Sequence, residues 1–589
     1  MISAVDRARV TPTWTMPDAG RAPNLALMRL PSAVVASSSV ALVVLVGACT
    51  GSDPVCDAPA CTAQTNVPAG PVALELVTDP QVTVFAGTTV EITIGTKNGK
   101  VEPGAAAPKL TITASDLPPN VTSEPLVYSE ATNKLRITAL PSAKHVATRI
   151  RLKLTDADGR YSGETALVLA VRDKAGVLDN SFGENGTTEI PGGVGGTALA
   201  GIATSADAIF VGGGSEKNFV ASRIAIADGK IDTAYGTNGI AVGNLRAEVN
   251  SDEIAEGLAI GPKGQAYVAG YGISGVPESE YQVGRFDAKG VVDKAFNGTG
   301  FFAGKYTGGS VAPEKIVELS LRGVAVQPKD GKIVFGGVAT ENLLYPIFTD
   351  HAVVARLGED GKLDNSFGGG DGWSDRITTS TQTESCKAVM IGALDNIYCA
   401  GSTQAPTGAP PKTFFVWRLT PAGGTDPSYG SDGVAKIAYA PNAVQGEIQT
   451  IHPFETKAIV VGISNGKAVV MRLDPTSGLG DPTFNGGAPV VLDGIGPLDD
   501  LAVLRSAVDK DGAVSVVTTS GVNNDIVLAR VLPGGRIDTQ LGPAGVATMK
   551  LASKGLNGRA RIAIQADGRI VVGTSVEGKG LVLYRLWGT

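Results

Sequence analysis

Leu363-Asp-Asn-Ser-Phe-Gly368 is the clearest of seven copies of one short motif, in which an Asp precedes an aromatic or aliphatic residue by three positions. The seven copies begin at Leu178, Ile231, Val292, Leu363, Thr425, Gly480 and Ile537. Consecutive aspartates are between 53 residues apart (Asp179 to Asp232) and 71 residues apart (Asp293 to Asp364). A period near 60 residues indicates a stacked or radial repeat fold.

Each repeat also contains a predicted β-hairpin. In residues 323–337 (Gly-Val-Ala-Val-Gln-Pro-Lys-Asp-Gly-Lys-Ile-Val-Phe-Gly-Gly) an Asp-Gly turn separates two alternating apolar runs, and residues 563–573 repeat this pattern. Asp-Gly between such runs is the strongest short-range signal for a hairpin. A third alternating strand follows and ends in an Arg, as in residues 352–356 (Ala-Val-Val-Ala-Arg). With the Asp motif taken as the fourth strand, each repeat is a four-stranded unit.

Seven such units predict an all-β fold, specifically a seven-bladed β-propeller. The repeat region opens with an Asp motif and stops after a third strand at Arg585-Leu586, so the last unit lacks its fourth strand. We expect residues near 178–190 to pair with the three C-terminal strands. This pairing would close the ring and leave no open edge between the first and last units. The alternative is an open β-solenoid.

The three motifs together resemble the delta-60 repeat family of bacterial propeller-like proteins. The similarity covers about residues 177–589 and rests on the Asp motif, the Asp-Gly hairpin and the Arg-ending strand in fixed order. Units five and six depart most, since Pro482 follows the Asp and Asn485 replaces the Gly. The resemblance implies the architecture and a location in the cell envelope, but the family has no general activity to carry over.

Two repeated charged positions are expected to form a ring of ion pairs. Within a repeat the Arg and the Asp lie 8 or 9 positions apart across a turn, which suits a cross-strand pair. The arginines are Arg223, Arg285, Arg356, Arg418, Arg472, Arg530 and Arg585. The aspartates are Asp232, Asp293, Asp364, Asp426, Asp481, Asp538 and, by ring closure, Asp179. We interpret them as structural, because a buried Arg–carboxylate pair fixes register, and we expect the motif aromatics in the core between units.

Residues 1–48 are interpreted as a leader with a lipoprotein signal peptide. The apolar run at residues 40–46 (Val-Ala-Leu-Val-Val-Leu-Val) is too short to span a bilayer and follows a basic residue, Arg29, which is typical of a secretory signal. Residues 45–49 (Leu-Val-Gly-Ala-Cys) resemble the bacterial lipobox, in which Cys49 becomes the lipidated first residue of the mature chain. The alternative is an ordinary signal peptide with a chance Cys. Met28 is the better translation start, so we expect residues 1–27 to be an extension outside the natural protein.

Residues 49–70 are predicted to be a lipidated flexible tether, and residues 71–172 a separate β-sandwich. The stretches that alternate with period two are 82–94, 109–113, 134–138, 149–154 and 166–171. Residues 114–121 (Ala-Ser-Asp-Leu-Pro-Pro-Asn-Val) resemble bacterial immunoglobulin-like domains, which implies a spacer or adhesion module. Residues 173–589 are assigned to the seven-unit repeat domain.

The other cysteines fit an oxidising compartment. Cys56 and Cys61 could close a small loop in the tether, and Cys386 and Cys399 could meet across a predicted hairpin. Two distant Cys pairs without a nearby His do not form a ligand cluster, so no metal is expected. A Gly-rich stretch with Asp371 and Asp375 is a weak alternative for Ca²⁺.

Composition excludes several other classes. The 77 glycines have no collagen period, and 43% apolar with 18% charged residues is not a disordered composition. The net charge is −7 with acidic and basic residues mixed, so no nucleic-acid partner is expected. The histidines His351 and His452 fall in different units, and neither a nucleophile motif nor a phosphate-binding loop occurs. Catalytic residues and cofactors are therefore not expected.

The loops carry the functional prediction. We expect tight turns on one face, between first and second and between third and fourth strands, and long loops on the opposite face. The long loops are residues 270–280, 305–321, 339–350, 374–385 and 402–412. Loops on a rigid scaffold often bind partners. The candidate binding residues are aromatics expected to be exposed there, namely Tyr271, Tyr306, Tyr345 and Phe348.

These features predict a monomeric cell-envelope protein that is anchored to the membrane through its N-terminal lipid and presents one loop-rich face to a protein or glycan. Thr50 after the lipidated Cys favours the outer membrane in a bacterium that has one. The alternative is an envelope enzyme, a polysaccharide hydrolase or lyase with an acidic site at the mouth of the propeller. The carboxylates that suggest such a site are Glu278, Glu280 and Asp350.

Overall fold

The computed structural model is all-β over the part of the chain that it describes. The described residues are 72–97, 109–140, 143, 146–190, 198–215, 218–244, 252–273, 279–308, 313–344, 347–376, 383–404, 412–437, 446–498, 502–520, 524–551, 555–577 and 579–588. Short 3₁₀ turns occur at Pro313–Lys315, Ala393–Asp395, Asn485–Gly487, Asp493–Ile495 and Pro543–Gly545. Over these ranges, no helix has the length and apolar character needed to cross a membrane.

The N-terminal region forms three small sheets around one core. Its strands are Val72–Ala73, Glu75–Val77, Gln81–Phe85, Thr89–Thr93, Gly95–Lys97, Leu110–Ser115, Val121–Ser123, Leu126–Tyr128, Lys134–Ala139, Val146–Asp156 and Tyr161–Arg172. The sheets have six, three and two strands, and all five stretches predicted to alternate contain strands. Ile92, Leu135 and Ile150 are fully buried in the shared core, as expected for strands with one apolar face.

The repeat region forms seven four-stranded antiparallel sheets, which we number I to VII. From first to fourth strand, sheet I contains Ala198–Thr204, Ala208–Ser215, Asn218–Ala225 and Ile240–Gly243; sheet II contains Asp252–Ile260, Ala266–Ile273, Ser279–Phe286 and Phe301–Gly304; sheet III contains Ile316–Val326, Ile333–Leu344, Ile347–Leu357 and Trp373–Arg376. Sheet IV contains Thr383–Ile391, Ile397–Gln404, Thr413–Leu419 and Val434–Ile437; sheet V contains Gly446–Phe454, Lys457–Ser464, Lys467–Leu473 and Val490–Val491. Sheet VI contains Arg505–Val508, Val514–Ser520, Asp525–Val531 and Val546–Met549; sheet VII contains Gly555–Ile564, Ile570–Val576, Gly580–Leu586 and Thr187–Ile190.

Sheet VII takes its fourth strand from the start of the repeat region. Thr187–Ile190 pairs antiparallel with Gly580–Leu586, so that Thr187 lies opposite Tyr584 and Ile190 opposite Leu581. This register confirms the expected pairing of residues near 178–190 with the C-terminal strands. The edge that the last repeat would otherwise expose is thereby covered.

Neighbouring sheets share apolar cores, and these cores follow a cyclic order. Phe219 of sheet I and Phe286 of sheet II belong to one buried cluster, and each following pair of sheets shares another. The last cluster joins Leu583 of sheet VII to Ile209 of sheet I. Because both faces of each sheet are covered, the strands are nearly continuous apolar runs rather than clean alternations.

The Asp motif is a turn, so the prediction that it forms the fourth strand is wrong. In sheet III the Phe367 N–H donates to the Asp364 carbonyl at 2.9 Å, and the Asp364 side chain accepts the Ser366 N–H at 3.0 Å. Such Asx turns compete with strand pairing, and the fourth strand begins only at Trp373. The expected tight turn between third and fourth strands is therefore wrong as well, since this connection contains the whole motif.

The repeated Arg joins its own Asp turn to the next sheet. Arg356 Nε lies 2.8 Å from Asp364 Oδ2, and its guanidinium carbon lies 4.6 Å from the centre of the Phe367 ring. The same side chain donates to the carbonyl of Pro421 in the connection of sheet IV. The three contacts recur at Arg418, Arg472 and Arg585. At Arg585 the carbonyl partner belongs to Ile226 of the connection in sheet I.

All seven predicted Arg–Asp ion pairs are present. They differ in burial: the Arg585 and Asp179 side chains are 0% and 2% exposed, whereas those of Arg223 and Asp232 are 27% and 28% exposed. The motif aromatics are buried in the inter-sheet cores, as expected; Phe182 of sheet VII and Tyr235 of sheet I are at most 1% exposed. The turn of the next sheet packs on the ring, and a Cβ at Gly361, where φ is +80°, would lie 2.7 Å from Phe296.

We predict that Arg585→Met destabilises the protein far more than Arg223→Met. Arg585→Met leaves Asp179 buried with only Arg569 as a charged neighbour and removes the donor to Ile226, which should cost about 3 kcal/mol. Arg223→Met removes two exposed or partly exposed pairs, with Asp207 and Asp232, and should cost less than about 1 kcal/mol. Chemical denaturation followed by tryptophan fluorescence measures both, and equal losses would contradict this account of the junction between sheets VII and I.

Two aspartates of the ring, Asp364 and Asp481, have a lowered pKa. Burial alone would raise the pKa of Asp364, but hydrogen bonds from Lys332 and Ser366 and the charge of Arg356 lower it well below its usual range. At Asp481 burial is likewise outweighed by Lys457, Thr483 and Arg472, which lower its pKa. The unfolded chain binds protons near pH 4, while the folded chain keeps these carboxylates charged to lower pH. Their contribution is therefore complete above about pH 4 and is lost as the pH falls below it.

We predict that the free energy of unfolding decreases steeply below about pH 4 and that Asp364→Asn flattens this decrease while lowering stability at pH 7. The matched control is Asp432→Asn, an exposed carboxylate in the next repeat, which should leave the slope unchanged. Urea unfolding at a series of pH values measures the slope. An Asp364→Asn variant with the wild-type acid slope would contradict the assignment.

Candidate functional site

The first strands of five sheets carry a one-residue β-bulge at the same level of the sheet. The bulges shift the pairing with the second strand in sheets I to V. The extra residues are Ala200, Glu256, Arg322, Lys387 and Gln449. A bulge leaves one residue unpaired and re-aims its side chain. The residue type can therefore differ between repeats without disturbing the sheet.

A pocket of about 340 Å³ lies beside the bulge of sheet III. Two bulge residues, Arg322 and Lys387, line it together with Thr340 of the second strand and Phe348 and Asp350 of the third. The pocket lies at the end of the sheet where the second strand passes into the third. This is the face on which long loops were predicted.

The pocket places an exposed aromatic ring beside fixed polar groups. Phe348 is 39% exposed. The Thr340 hydroxyl donates to Asp350 Oδ1 at 2.8 Å, and the Ser320 hydroxyl donates to Glu318 Oε1 at 3.2 Å. An apolar surface with a few fixed polar groups is the usual chemistry of a small-molecule or glycan site.

Arg322 connects the pocket to the bulge of sheet II. Its guanidinium lies 3.6 Å from Glu256 Oε1 and 5.9 Å from the ring centre of Tyr271. Burial raises the pKa of Tyr271, although Arg322 acts in the opposite direction. The phenol is thus a neutral hydrogen-bonding group at physiological pH.

The four aromatic residues predicted to bind a partner differ in their environments. Phe348 lines the pocket, and Tyr271 lies beside Arg322, which also lines it. The expectation that Tyr306 is exposed is wrong: it is 2% exposed, its ring centre lies 5.4 Å from that of Trp373, and its hydroxyl donates to Asp375. The segment after the fourth strand of sheet II returns to the core between sheets II and III, which buries the ring. Tyr345 lies outside the described residues.

The predicted loop at residues 339–350 is mostly strand. Ile333–Leu344 and Ile347–Leu357 form one long hairpin that places Phe348 opposite Asn342. Of the carboxylates considered for an acidic site, Asp350 lines the pocket, Glu280 lies on the third strand of sheet II, and Glu278 lies outside the described residues.

The two single histidines lie in separate places, with His351 buried and His452 partly buried. His351 Nε2 lies 3.1 Å from Glu341 Oε2 in the long hairpin, and His452 Nε2 lies 2.9 Å from Ser506 Oγ. Burial lowers the pKa of His452 to about 4, although the contact with Ser506 acts in the opposite direction, so that this imidazole is neutral at physiological pH. Neither histidine lines the pocket.

The cysteines and the weak calcium candidates have structural roles where they are described. Cys386 and Cys399 form a disulfide between the first two strands of sheet IV, with Cα atoms 5.5 Å apart; Cys49, Cys56 and Cys61 lie outside the described residues. Asp371 accepts the Trp373 N–H, and Asp375 accepts the Tyr306 hydroxyl. Among the residues in the ranges given above, no group of three or more His, Cys, Asp or Glu is placed to hold a metal ion.

The bulge residues Glu256, Arg322 and Lys387 were not predicted from the sequence. A weak signal was present, since a charged residue interrupts the apolar pattern just before the Gly-Val-Ala-Val strand of residues 323–326. The repeats share no residue type at this position. The pattern shared by the repeats therefore does not reveal it.

No family model matches this sequence, and no curated protein matches it. Solved structures that resemble the fold include the Dos1 propeller, which is 10% identical with a TM-score of 0.33 over 75% of this chain and 90% of that chain. A polysaccharide lyase of family PL25, an ulvan lyase, is 10% identical with a TM-score of 0.35 over 67% of this chain and 94% of that chain. A post-proline cleaving enzyme from Rickettsia typhi is 11% identical with a TM-score of 0.33 over 66% of this chain and 53% of that chain.

Proposed function

We propose that the seven sheets form a closed seven-bladed propeller of the delta-60 repeat type. The cyclic order of the shared cores supports this architecture, because sheet VII shares a core with sheet I as well as with sheet VI. The contact between Arg585 of sheet VII and Ile226 of sheet I also supports it. In such a ring the first strands of the sheets surround the central axis.

We further propose that this protein binds a glycan or protein partner through the pocket beside sheet III. The observation that carries the proposal is the half-exposed Phe348 ring next to the hydrogen-bonded Thr340–Asp350 pair. Aromatic rings with adjacent polar groups bind the apolar and hydroxyl faces of sugars and the mixed surfaces of proteins. An enzyme acting on polysaccharide is the alternative, with Asp350 and Glu318 as the carboxylates that line the pocket.

The proposed setting is the cell envelope. Lipidation at Cys49 would anchor the chain, residues 50–70 would act as a tether, and the N-terminal sheets, proposed to be an immunoglobulin-like sandwich, would act as a spacer. Several acyl chains anchor a protein stably where one does not. The repeat domain would then be held near the membrane and would bind a partner in the periplasm or at the cell surface.

We predict that Phe348→Ala weakens partner binding about tenfold, the typical effect of removing an aromatic contact. The matched control is Leu394→Ala. Leu394 is 87% exposed and lies in the turn between the first and second strands of sheet IV, at the end of the sheet opposite to the pocket. This variant should bind the partner normally. Binding is measured on a glycan array and by pull-down from envelope extracts. Turnover of a glycan that Asp350→Asn abolishes would instead support the enzyme.

We predict that Cys49→Ser releases the protein from the membrane fraction, because a Ser at this position cannot carry the lipid. Cys56→Ser, a few residues along the tether, is the control and should stay in the membrane fraction. Membrane fractionation of cells that express each variant measures the distribution. Unchanged fractionation of the Cys49→Ser variant would reject the anchor while leaving the binding proposal intact.

A further inference from the structure

Four arginines and one glutamate meet where the first strands of four sheets converge. Glu256 comes from sheet II, Arg322 from sheet III, Arg505 from sheet VI, and Arg559 and Arg561 from sheet VII. Arg322 Nη1 and Arg559 Nη1 lie 3.6 and 3.3 Å from Glu256 Oε1. Because sheets II and VII are not neighbours, the Glu256–Arg559 contact crosses the space between first strands. We call these five residues the central cluster.

The central cluster carries more positive than negative charge. Glu256 is 4% exposed and is shared by Arg322 and Arg559. Among the described residues, these are the ion pairs that the cluster forms, and neither Arg505 nor Arg561 has a carboxylate within 4.0 Å. A guanidinium group stays protonated under physiological conditions. The five side chains therefore carry four positive charges and one negative charge.

Several hydrogen-bond donors of the cluster are unused. Arg561 is 3% exposed; its Nε donates to the Ala200 carbonyl at 2.6 Å and its Nη1 to the Ala560 carbonyl at 3.2 Å. Its Nη2 is buried without a hydrogen-bond partner, as is Nε of Arg322. Arg505 donates through Nη1 to the Leu504 carbonyl at 2.9 Å. Unpaired buried donors on a cation are costly unless an acceptor fills the space between them.

The protein environment itself opposes this concentration of charge. Burial lowers the pKa of Arg505 to about 10, with Glu256 acting against it and Arg559 and Arg322 acting with it. Burial, followed by the charge of Arg505, lowers the pKa of Arg561 well below its usual range. A bound anion would reverse both effects, since it would neutralise charge and accept hydrogen bonds in one place.

We propose that the central cluster is a binding site for an oxyanion group, a carboxylate, sulfate or phosphate, held mainly by Arg505 and Arg561. The planar guanidinium matches these groups because it can donate two parallel hydrogen bonds to two oxygens. Glu256 keeps Arg322 and Arg559 in place and leaves Arg505 and Arg561 for the ligand. The site adjoins the pocket through Arg322, but it does not depend on the partner proposed for that pocket.

The experiment is a thermal-unfolding titration of the full chain with sodium sulfate, sodium phosphate and sodium acetate, with sodium chloride at equal ionic strength as the reference. A ligand that binds only the folded state raises the midpoint as its concentration passes the dissociation constant. We expect a saturable rise with at least one oxyanion. The relative size of the rise in sulfate, phosphate and acetate distinguishes a site for tetrahedral dianions from a carboxylate site.

Two substitutions assign the effect to the cluster. Arg561→Gln and Arg505→Gln should each weaken oxyanion binding at least about tenfold. In chloride, Arg561→Gln should raise the midpoint of thermal unfolding because it relieves repulsion between the arginines. Arg536→Gln, in an exposed turn of sheet VI, is the matched control and should respond like wild type. Phe348→Ala should also keep the response, so failure of the pocket and failure of the cluster can be told apart.

The opposite pattern would overturn the proposal. If wild type responds to no oxyanion beyond chloride, or if both arginine variants keep the wild-type response, the cluster is not an anion site. A lower midpoint for Arg561→Gln together with an unchanged sulfate response would assign Arg561 a purely structural role, through its hydrogen bond to Ala200. If Arg561→Gln does not fold, Arg505→Gln carries the test, because this side chain makes one carbonyl contact.

Discussion

The arginine at the end of each third strand is the interaction on which the repeat region depends. In sheets II, III, IV, V and VII this side chain pairs with the Asp turn of its own sheet, stacks on the aromatic ring of that turn and donates to a carbonyl of the following sheet. Apolar cores between sheets supply most of the stabilisation but are not directional. The guanidinium adds a directional contact between one sheet and the next, since its donors have a fixed geometry. At Arg585 the same device joins the last sheet to the first.

Those features that repeat could be predicted from sequence. The Asp–Arg spacing, the Asp-Gly hairpins and the missing fourth strand of the last unit are local patterns, and each corresponds to a contact in the structure. The burial of the motif aromatics followed for the same reason, because a side chain that recurs at one position of every repeat meets the same environment each time. The burial of Tyr306 did not follow, because it depends on the path of one segment between sheets II and III.

Two kinds of feature could not be predicted from the sequence. The Asp motif was expected to be a strand, but the Asp364 side chain accepts the backbone N–H of Ser366 and the motif forms a turn. A pattern of apolar alternation does not reveal such side-chain to backbone hydrogen bonds. The inner bulges escaped because pairing register is set between strands. Within residues 319–326 the sequence marks Arg322 as a charged residue in an apolar stretch, but this does not identify it as the residue left out of the ladder.

This contrast indicates where specificity resides in such a fold. Positions that are alike in every repeat are committed to joining sheets, and a change at any one of them weakens a junction. The bulge residues have no cross-strand partner, so their type can vary. From sheet I to sheet V they are Ala, Glu, Arg, Lys and Gln. Two of these dissimilar residues, Glu256 of sheet II and Arg322 of sheet III, lie within contact distance of each other. Sheets of the same topology thus carry different charged residues at the same level, and the chemistry of this protein is to be sought where its repeats differ.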